Sequence, residues 1–389
     1  MADARVLVLN AGSSSIKAAV LEVGVNGNCA RLWQDQHPWT MPAAAASGGG
    51  PELTTAVERC LAGWLPAVLA PWQGNLTLVA HRVVHGGERF SRACHIDADV
   101  RRGIAAVSAL APLHNGVALA VIDWLATWLA TWQPDLHQWA CFDTAFHSTL
   151  PAEQHTYALP AAWRQQGLRR YGFHGLNHQH VAETATQLLA EEGMESGPLP
   201  ELRLISAHLG AGCSLCAISQ GRSVATTMGL TPLEGLVMGS RSGSVDPGLL
   251  LHLLQRQGIG AAALNHALNH DSGLLGLSEL SSDMRQLRQA AAAGHPGSQL
   301  AIAVFTARLL EGIGAMAAVL RGVDVIALSG GIGQNDEQLA HELHQQLQWL
   351  GNFRLLQIPA DEEGQIARQC LQQIHSRSQA IVEHQDLMH

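Results

Sequence analysis

Apolar residues along this chain gather into short, nearly continuous runs of strand length, each closed by glycine or small polar residues, and separately into long stretches with helical spacing. The first run, Arg5-Val6-Leu7-Val8-Leu9, enters Asn10-Ala11-Gly12-Ser13-Ser14-Ser15-Ile16-Lys17 and re-emerges as Ala18 to Val23, which predicts strand, tight turn, strand. The low-complexity stretch Ala43 to Pro51 reads as a surface loop before a helix. A compact, glycine-ended segment follows at Ala80 to Glu88, and Leu110 to Trp132 is helical in pattern. Within it, Gly116 to Trp132 is the most apolar stretch of the chain, yet Asp123 interrupts it, and it reads as a buried helix rather than a membrane span. Trp139 to Phe142 predicts a strand running into Asp143-Thr144-Ala145-Phe146-His147.

After a polar stretch, Glu191 to Glu201, the opening layout returns. Leu204-Ile205-Ser206-Ala207-His208-Leu209-Gly210-Ala211-Gly212-Cys213-Ser214 is again strand, polar residue, glycine turn and second strand, with His208 where Asn10 stood. Either the chain is internally duplicated, with two phosphate-sized loops, or two common glycine-rich hairpins coincide. A strand at Arg222 to Thr227 and mostly helices from Pro247 to Gly322 lead to Val323 to Leu328, a strand that runs into Ser329-Gly330-Gly331-Ile332-Gly333-Gln334-Asn335 and a helix, a nucleotide-binding layout in its own right.

Size and composition narrow this picture. At 389 residues, two domains around a central cleft are expected. With 47% apolar and 14% charged residues the chain can build a large core, and a net charge of −9 without a Lys/Arg cluster argues against nucleic acid as a partner. Seven scattered cysteines read as reduced thiols of a cytoplasmic protein, and the N-terminus has no signal-peptide pattern. Cys213 and Cys216 form a C-x-x-C inside a strand-like run, where residues three apart face opposite sides, a poor zinc or redox motif.

Four segments carry candidate chemistry. Asn10 to Lys17 is either a tight turn or a phosphate cradle, in which backbone N–H groups and serine hydroxyls surround an anion, Lys17 adds charge and Asn10 offers an oxygen to Mg2+. His81-Arg82-Val83-Val84-His85-Gly86-Gly87-Glu88 sets a guanidinium, whose planar fork matches a carboxylate, beside apolar valines. Arg241 lies in a Gly/Ser loop, Met238 to Pro247, too polar for a core, and paired arginines suit a transferring phosphoryl group. Tyr171-Gly172-Phe173-His174-Gly175 presents a histidine between glycines, one of 21 in the chain.

Together with Leu110 to Asn115, Phe142 to His147, Thr231 to Gly243 and Ser281 to Arg285, these segments resemble the acetate kinase family in order and spacing over essentially the whole chain. The resemblance implies an α/β chain with the duplicated actin-like ATPase fold of acetate and sugar kinases, Hsc70 and actin. It implies an acyl-substrate and phosphate domain over residues 1–147, completed by C-terminal residues, and a nucleotide-binding domain over 148–389. The activity implied is reversible Mg-ATP-dependent phosphorylation of acetate, or of propionate or butyrate, by a homodimer that has no membrane partner. Carried over by position, Arg82 takes the substrate carboxylate, while Val84, Leu113, Phe173 and Pro232 form the acyl pocket. Asp143, His174 and Arg241 are the catalytic residues. Lys17, His208, Leu209, Gly210, Ala211, Gly212, Asp283, Met284, Arg285, Gly331, Ile332, Gly333, Gln334 and Asn335 hold ATP or ADP. Mg2+, or Mn2+, falls to Asn10 and Gln385, the latter in Glu383-His384-Gln385-Asp386-Leu387 where the family's T-N-E-E-L has glutamate. Ala211 and Gln334 also depart from the family's asparagine and glutamate, and with Gln385 they raise a weakened, nucleotide-binding member as the alternative. A carboxylic acid with a pKa of ~4 is already ionised at pH 7, so Asp143 is expected to orient an arginine or hydrated metal rather than act as a base.

Overall fold

The computed structural model describes residues 3–12, 15–24, 27–40, 50–192 and 202–386; the side chains of 112–113 and 377–386 lie outside this description. The chain divides into two compact units, residues 1–145 with 361–389, and residues 146–360. The expected second domain, 148–389, therefore gives residues 361–389 to the first unit.

In the first unit the described residues form a sheet of order β3-β2-β1-β4-β6-β5. Its strands are β1 (Ala4–Ala11), β2 (Ser15–Val23), β3 (Cys29–Pro38), β4 (Leu78–Val83), β5 (Cys94–His95) and β6 (Gln138–Phe142). β1, β2 and β3 form an antiparallel meander, and β4 and β6 add in parallel to β1. Val6 to Leu9 and the whole of β6 are buried, as continuous apolar runs in a covered sheet should be. Helices α1 (Pro51–Leu69) and α2 (Pro112–Trp132) close one core through Val57, Leu61, Leu65, Val117, Val121 and Leu125, which recur at helical spacing. Asp123 does not break α2, because it points to solvent and pairs with Arg101 at 2.6 Å.

The second unit repeats the plan. Its described strands are β7 (Arg203–Leu209), β8 (Cys213–Ser219), β9 (Arg222–Thr226), β10 (Val325–Ser329) and β11 (Arg354–Gln357), ordered β11-β10-β7-β8-β9. β7 to β9 are antiparallel while β10 and β11 run parallel to β7, which is the arrangement of β1, β2, β3, β4 and β6. The register shifts also match, between Val20 and Leu21 in one meander and Ala217 and Ile218 in the other. Two hairpins can share a layout by coincidence; two five-strand sheets with the same order, directions and bulge indicate duplication. The helices of this unit include α3 (Gly175–Glu191), α4 (Met284–Ala292) and α5 (Pro296–Leu320). α5 buries Ala301, Phe305, Leu309 and Ile313, one residue per turn. The final helix, α6 (Glu362–Asp386), belongs to the first unit.

Candidate active site

In an open α/β sheet the carboxyl ends of parallel strands are where backbone stops pairing and side chains can meet a ligand. In the first unit those ends hold Asn10, Arg82 and Asp143. The Asp143 amide donates to the Val83 carbonyl, which extends the β4–β6 ladder by one step and sets the carboxylate beside Arg82. Arg82 Nε then donates to Asp143 Oδ1 at 2.9 Å and Nη2 to Oδ2 at 2.6 Å, a bidentate pair with Asp143 buried. Nη1 reaches Asn10 Oδ1 at 3.3 Å and Glu362 Oε2 at 3.2 Å. Among the described residues, four of the five guanidinium N–H groups are thereby engaged, the fork that would grip a carboxylate with two bonds is filled by Asp143, and a single N–H on Nη2 remains. Burial works against the charge on Arg82, but Asp143 and Glu362 outweigh it and raise the guanidinium above its usual value. Burial pushes the Asp143 carboxyl above its own usual range, and Arg82 opposes that shift.

Sequence reading did not single out Glu362 and expected a metal ligand at Gln385. Gln385 lies in the last turn of α6, 23 residues beyond Glu362 and so about 35 Å along the helix axis; its side chain lies outside the described residues. The carboxylate beside Asn10 and Arg82 is that of Glu362. The legible signal was Pro359-Ala360-Asp361-Glu362-Glu363-Gly364, whose adjacent carboxylates follow a proline and open a helix. Lys17 stands opposite Asn10 in the β1–β2 register and is exposed. Residues 13–14 of the turn and the side chain of Leu113 lie outside the described residues, and Val84 is half-buried.

The second unit brings His174, His208, Gly212, Pro232 and Arg241 together. His174 sits in the left-handed region, with φ 57°, at the start of α3. Its Nδ1 is 2.9 Å from Ser214 Oγ, and its ring lies 4.3 Å from that of His208, centroid to centroid. A Cβ on Gly212 would meet His174 Nε2 at 3.1 Å and Arg241 Nη1 at 3.5 Å, so a side chain there would crowd the His174 ring while only touching Arg241. Arg241 Nη1 donates to the Pro232 carbonyl at 3.2 Å. Phe173 is fully buried, and its carbonyl pairs with His147 Nε2 at 2.9 Å.

Beside that turn lies a cavity of about 780 Å3, within the range of small-molecule sites. Of the predicted nucleotide residues, Gly210, Ala211, Asp283, Met284, Arg285, Gly331, Ile332 and Asn335 line it. His208, Leu209, Gly212, Gly333 and Gln334 do not, and Gln334 Oε1 instead accepts from the Ala360 amide at 3.3 Å. Gly330, with φ 79°, lets the β10 turn lie against β7, since a Cβ there would stand 2.7 Å from the Leu209 carbonyl. Asp283 caps α4 and holds Arg285 with two bonds, at 3.1 and 2.6 Å. Sequence reading missed Ser282, Arg288, Asp336 and Glu337 in the wall. Arg288 binds Asp336 at 3.2 Å and Glu342 at 3.3 Å, and among the described residues its buried Nη2 has no partner, a donor available to a ligand. Cys213 and Cys216 bond separately, to the Gly210 carbonyl and Ser223 Oγ, and burial pushes both thiols up to about 12.

The duplicated sheets, with a nucleotide-sized cavity at the turns of one and an arginine–carboxylate node at the strand ends of the other, are those of the actin-like ATPase fold in its small-molecule kinase class. The sequence pattern of the acetokinase family matches residues 5–384. An acetate kinase from Synechococcus sp. is 46% identical over 348 residues, covering 85% of this chain and 84% of that protein. Another from Pseudomonas aeruginosa is 41% identical, covering 94% and 98%. Among solved structures, the acetate kinase of Porphyromonas gingivalis superposes with a TM-score of 0.77 at 31% identity, and a propionate kinase from Francisella tularensis with 0.79 at 31%; each covers 94% of this chain and 98% of its own. The chain belongs to the acetokinase family.

Proposed function

We propose that this chain transfers the γ-phosphoryl group of ATP reversibly and in line to acetate, giving acetyl phosphate and ADP. The observation that carries this reading is the Arg82 node, a buried guanidinium locked by Asp143 and flanked by the oxygens of Asn10 and Glu362. Arg82 attracts the acetate carboxylate by charge and by its remaining Nη2 N–H. Asp143 does not remove a proton, since acetate arrives ionised; it holds the guanidinium plane. On the first unit, the half-buried Val84 offers the methyl group an apolar contact. His174 and Arg241 donate to the transferring phosphoryl oxygens, where charge spreads as the bond to ADP loosens. Gly210, Ala211, Asp283, Arg285, Gly331 and Asn335 hold the nucleotide, and Lys17 adds charge for its phosphates.

The oxygen donors of Asn10 and Glu362, both within reach of one Nη1, fit the hard-oxygen preference of Mg2+. Bound there, the ion would neutralise phosphate charge. A carboxylate at this position also removes the main reason to read the chain as a weakened member.

A hydroxamate assay with Mg-ATP and acetate, propionate or butyrate tests the reading. Turnover is expected with acetate, and absence of acyl phosphate from all three acids would overturn it. Equal similarity to an acetate and a propionate kinase favours propionate as the second substrate, because one methylene in an apolar pocket changes selectivity by only ~1–3 kcal/mol. The same assay ranks the two. The protein acts in the cytoplasm, in keeping with seven free thiols. It acts as a homodimer, in keeping with α5, which is apolar enough in length and composition to span a membrane yet has only a third of its most apolar window buried. Sedimentation at micromolar concentration should give twice the monomer mass.

A further inference from the structure

Behind His174 runs a line of buried hydroxyls and imidazoles within the second unit. Ser206 Oγ, on β7, is 2.8 Å from His178 Nδ1. His178, in the first turn of α3, presents Nε2 to Ser214 Oγ, on β8, at 2.8 Å. Ser214 Oγ is in turn 2.9 Å from His174 Nδ1. Ser206, His178 and Ser214 are all 0% exposed, so water does not compete for these bonds.

We propose that His178 and Ser214 are positioning residues that fix the ring plane of His174 and keep the proton of its neutral form on Nε2. Counting donors restricts the line to two directions, the first of them set by Ser206 as donor. Burial drives the His178 pKa well below 6.5, with His147 and His208 adding to the effect, so this ring is neutral and carries one proton. A serine hydroxyl donates one hydrogen and can accept others. With Ser206 donating to His178 Nδ1, His178 Nε2–H donates to Ser214, whose hydrogen is left for His174 Nδ1. His174 then accepts at Nδ1 and must hold its own proton at Nε2, the nitrogen on the Gly212 and Arg241 side.

The reversed chain is equally complete in hydrogen bonds but leaves a bare lone pair at Nε2. An anion there repels that lone pair and is attracted to an N–H, so a phosphoryl ligand selects the first direction. Among the described residues, His174 is faced by His208 at 4.3 Å between ring centroids, Arg241 across Gly212, and Ser214. His147 lies behind, 5.7 Å from His178. The inference rests on the phosphoryl-donor role proposed above for His174, because a phosphoryl ligand at Nε2 is what selects the direction.

Nitrogen-15 spectra of protein labelled at histidine, with His174→Asn to assign the resonance, test it in the full chain. In wild type with ATP bound, the neutral His174 ring should show an accepting Nδ1 and a protonated Nε2. Ser214→Ala should give mixed tautomers and a kcat lower by about 10- to 100-fold, with KM for acetate and ATP held within about threefold. His178→Gln should act in the same direction. A wild-type His174 with its neutral-form proton on Nδ1 overturns the proposal, as does Ser214→Ala that leaves tautomer and kcat unchanged. Should Ser214→Ala fail to fold, the wild-type spectrum decides alone. A chain that makes no acyl phosphate yet shows the expected tautomer overturns the kinase reading and not this one.

Discussion

At the scale of single residues, the site is shaped by how completely each charge is partnered. Asp143 and Arg82 form a pair in which the carboxylate side chain is 2% and the guanidinium 19% exposed. Removing one member of such a pair leaves the other buried and uncompensated, which costs about 3–5 kcal/mol. Asp143→Ala should therefore lower the urea midpoint as well as abolish turnover, whereas Asp143→Asn, which keeps one acceptor, should retain more of the stability. Glu362 has a different duty. It meets Arg82 at the edge of the node, and Glu362→Gln should reduce kcat by about 10²–10³ through lost charge on the phosphoryl side while the melting temperature changes little. A carboxylate introduced at the other end of α6, by Gln385→Glu, should change neither quantity.

At the scale of elements, the loop carrying Pro232 and Arg241 owes its shape to a clamp in its own unit. Arg170 Nη1 donates to three successive carbonyls, Thr226, Thr227 and Met228, at 3.2, 2.8 and 2.9 Å. Its Nη2 pairs with Glu234 at 2.5 Å, and Glu234 also takes the Tyr157 hydroxyl. A Cβ at 229 would overlap the Glu234 carboxylate and the Tyr157 hydroxyl, so any residue but glycine there requires both side chains to move. Gly229→Ala should push Glu234 out of the clamp, destabilise the fold by about 1–3 kcal/mol in a urea titration and raise KM for acetate as Pro232 shifts. Restored KM with a second change, Tyr157→Phe, would show that crowding and not backbone strain is the cause. Motif recognition found the segment Thr231 to Gly243 but gave no hint of this clamp, since Tyr157 and Arg170 lie far away in sequence.

At the scale of the whole molecule, buried histidines make stability depend on pH. Burial pushes His81, bonded to Gln138 at 2.7 Å, and His147, bonded to Ser223 at 2.8 Å, down to about 4 from the ordinary 6.5. A depressed histidine is stabilising where the unfolded chain is also neutral, above pH 6.5. As pH falls through that value the unfolded ring binds a proton that the folded one refuses, so the contribution drains between pH 6.5 and 4, by roughly 3 kcal/mol for each ring. The urea midpoint at pH 5 should lie below that at pH 7.5, and His81→Gln should make the decline shallower. A flat profile across this window would mean that neither ring is depressed.

Local features were legible because they depend on neighbours in sequence. The apolar runs before Asn10, His208 and Ser329 and the glycine turns after them fixed where strands end, and the matched hairpins signalled the duplication. Arg241 stood in a loop too polar for a core and His174 between glycines, while Arg82 and Asp143 stood in segments whose pattern resembles the family's. What only the tertiary structure decided was partnership. Sheet order, not spacing, sets Asn10, Arg82 and Asp143 on adjacent strand ends, and the return of α6 to the first unit brings Glu362 to them from the far end of the chain. It also fills the Arg82 fork with Asp143 and lines up Ser206, His178 and Ser214 behind His174. These contacts are invisible in the sequence because periodicity encodes which face of an element is buried, whereas the residue it meets is set by how distant strands and helices pack.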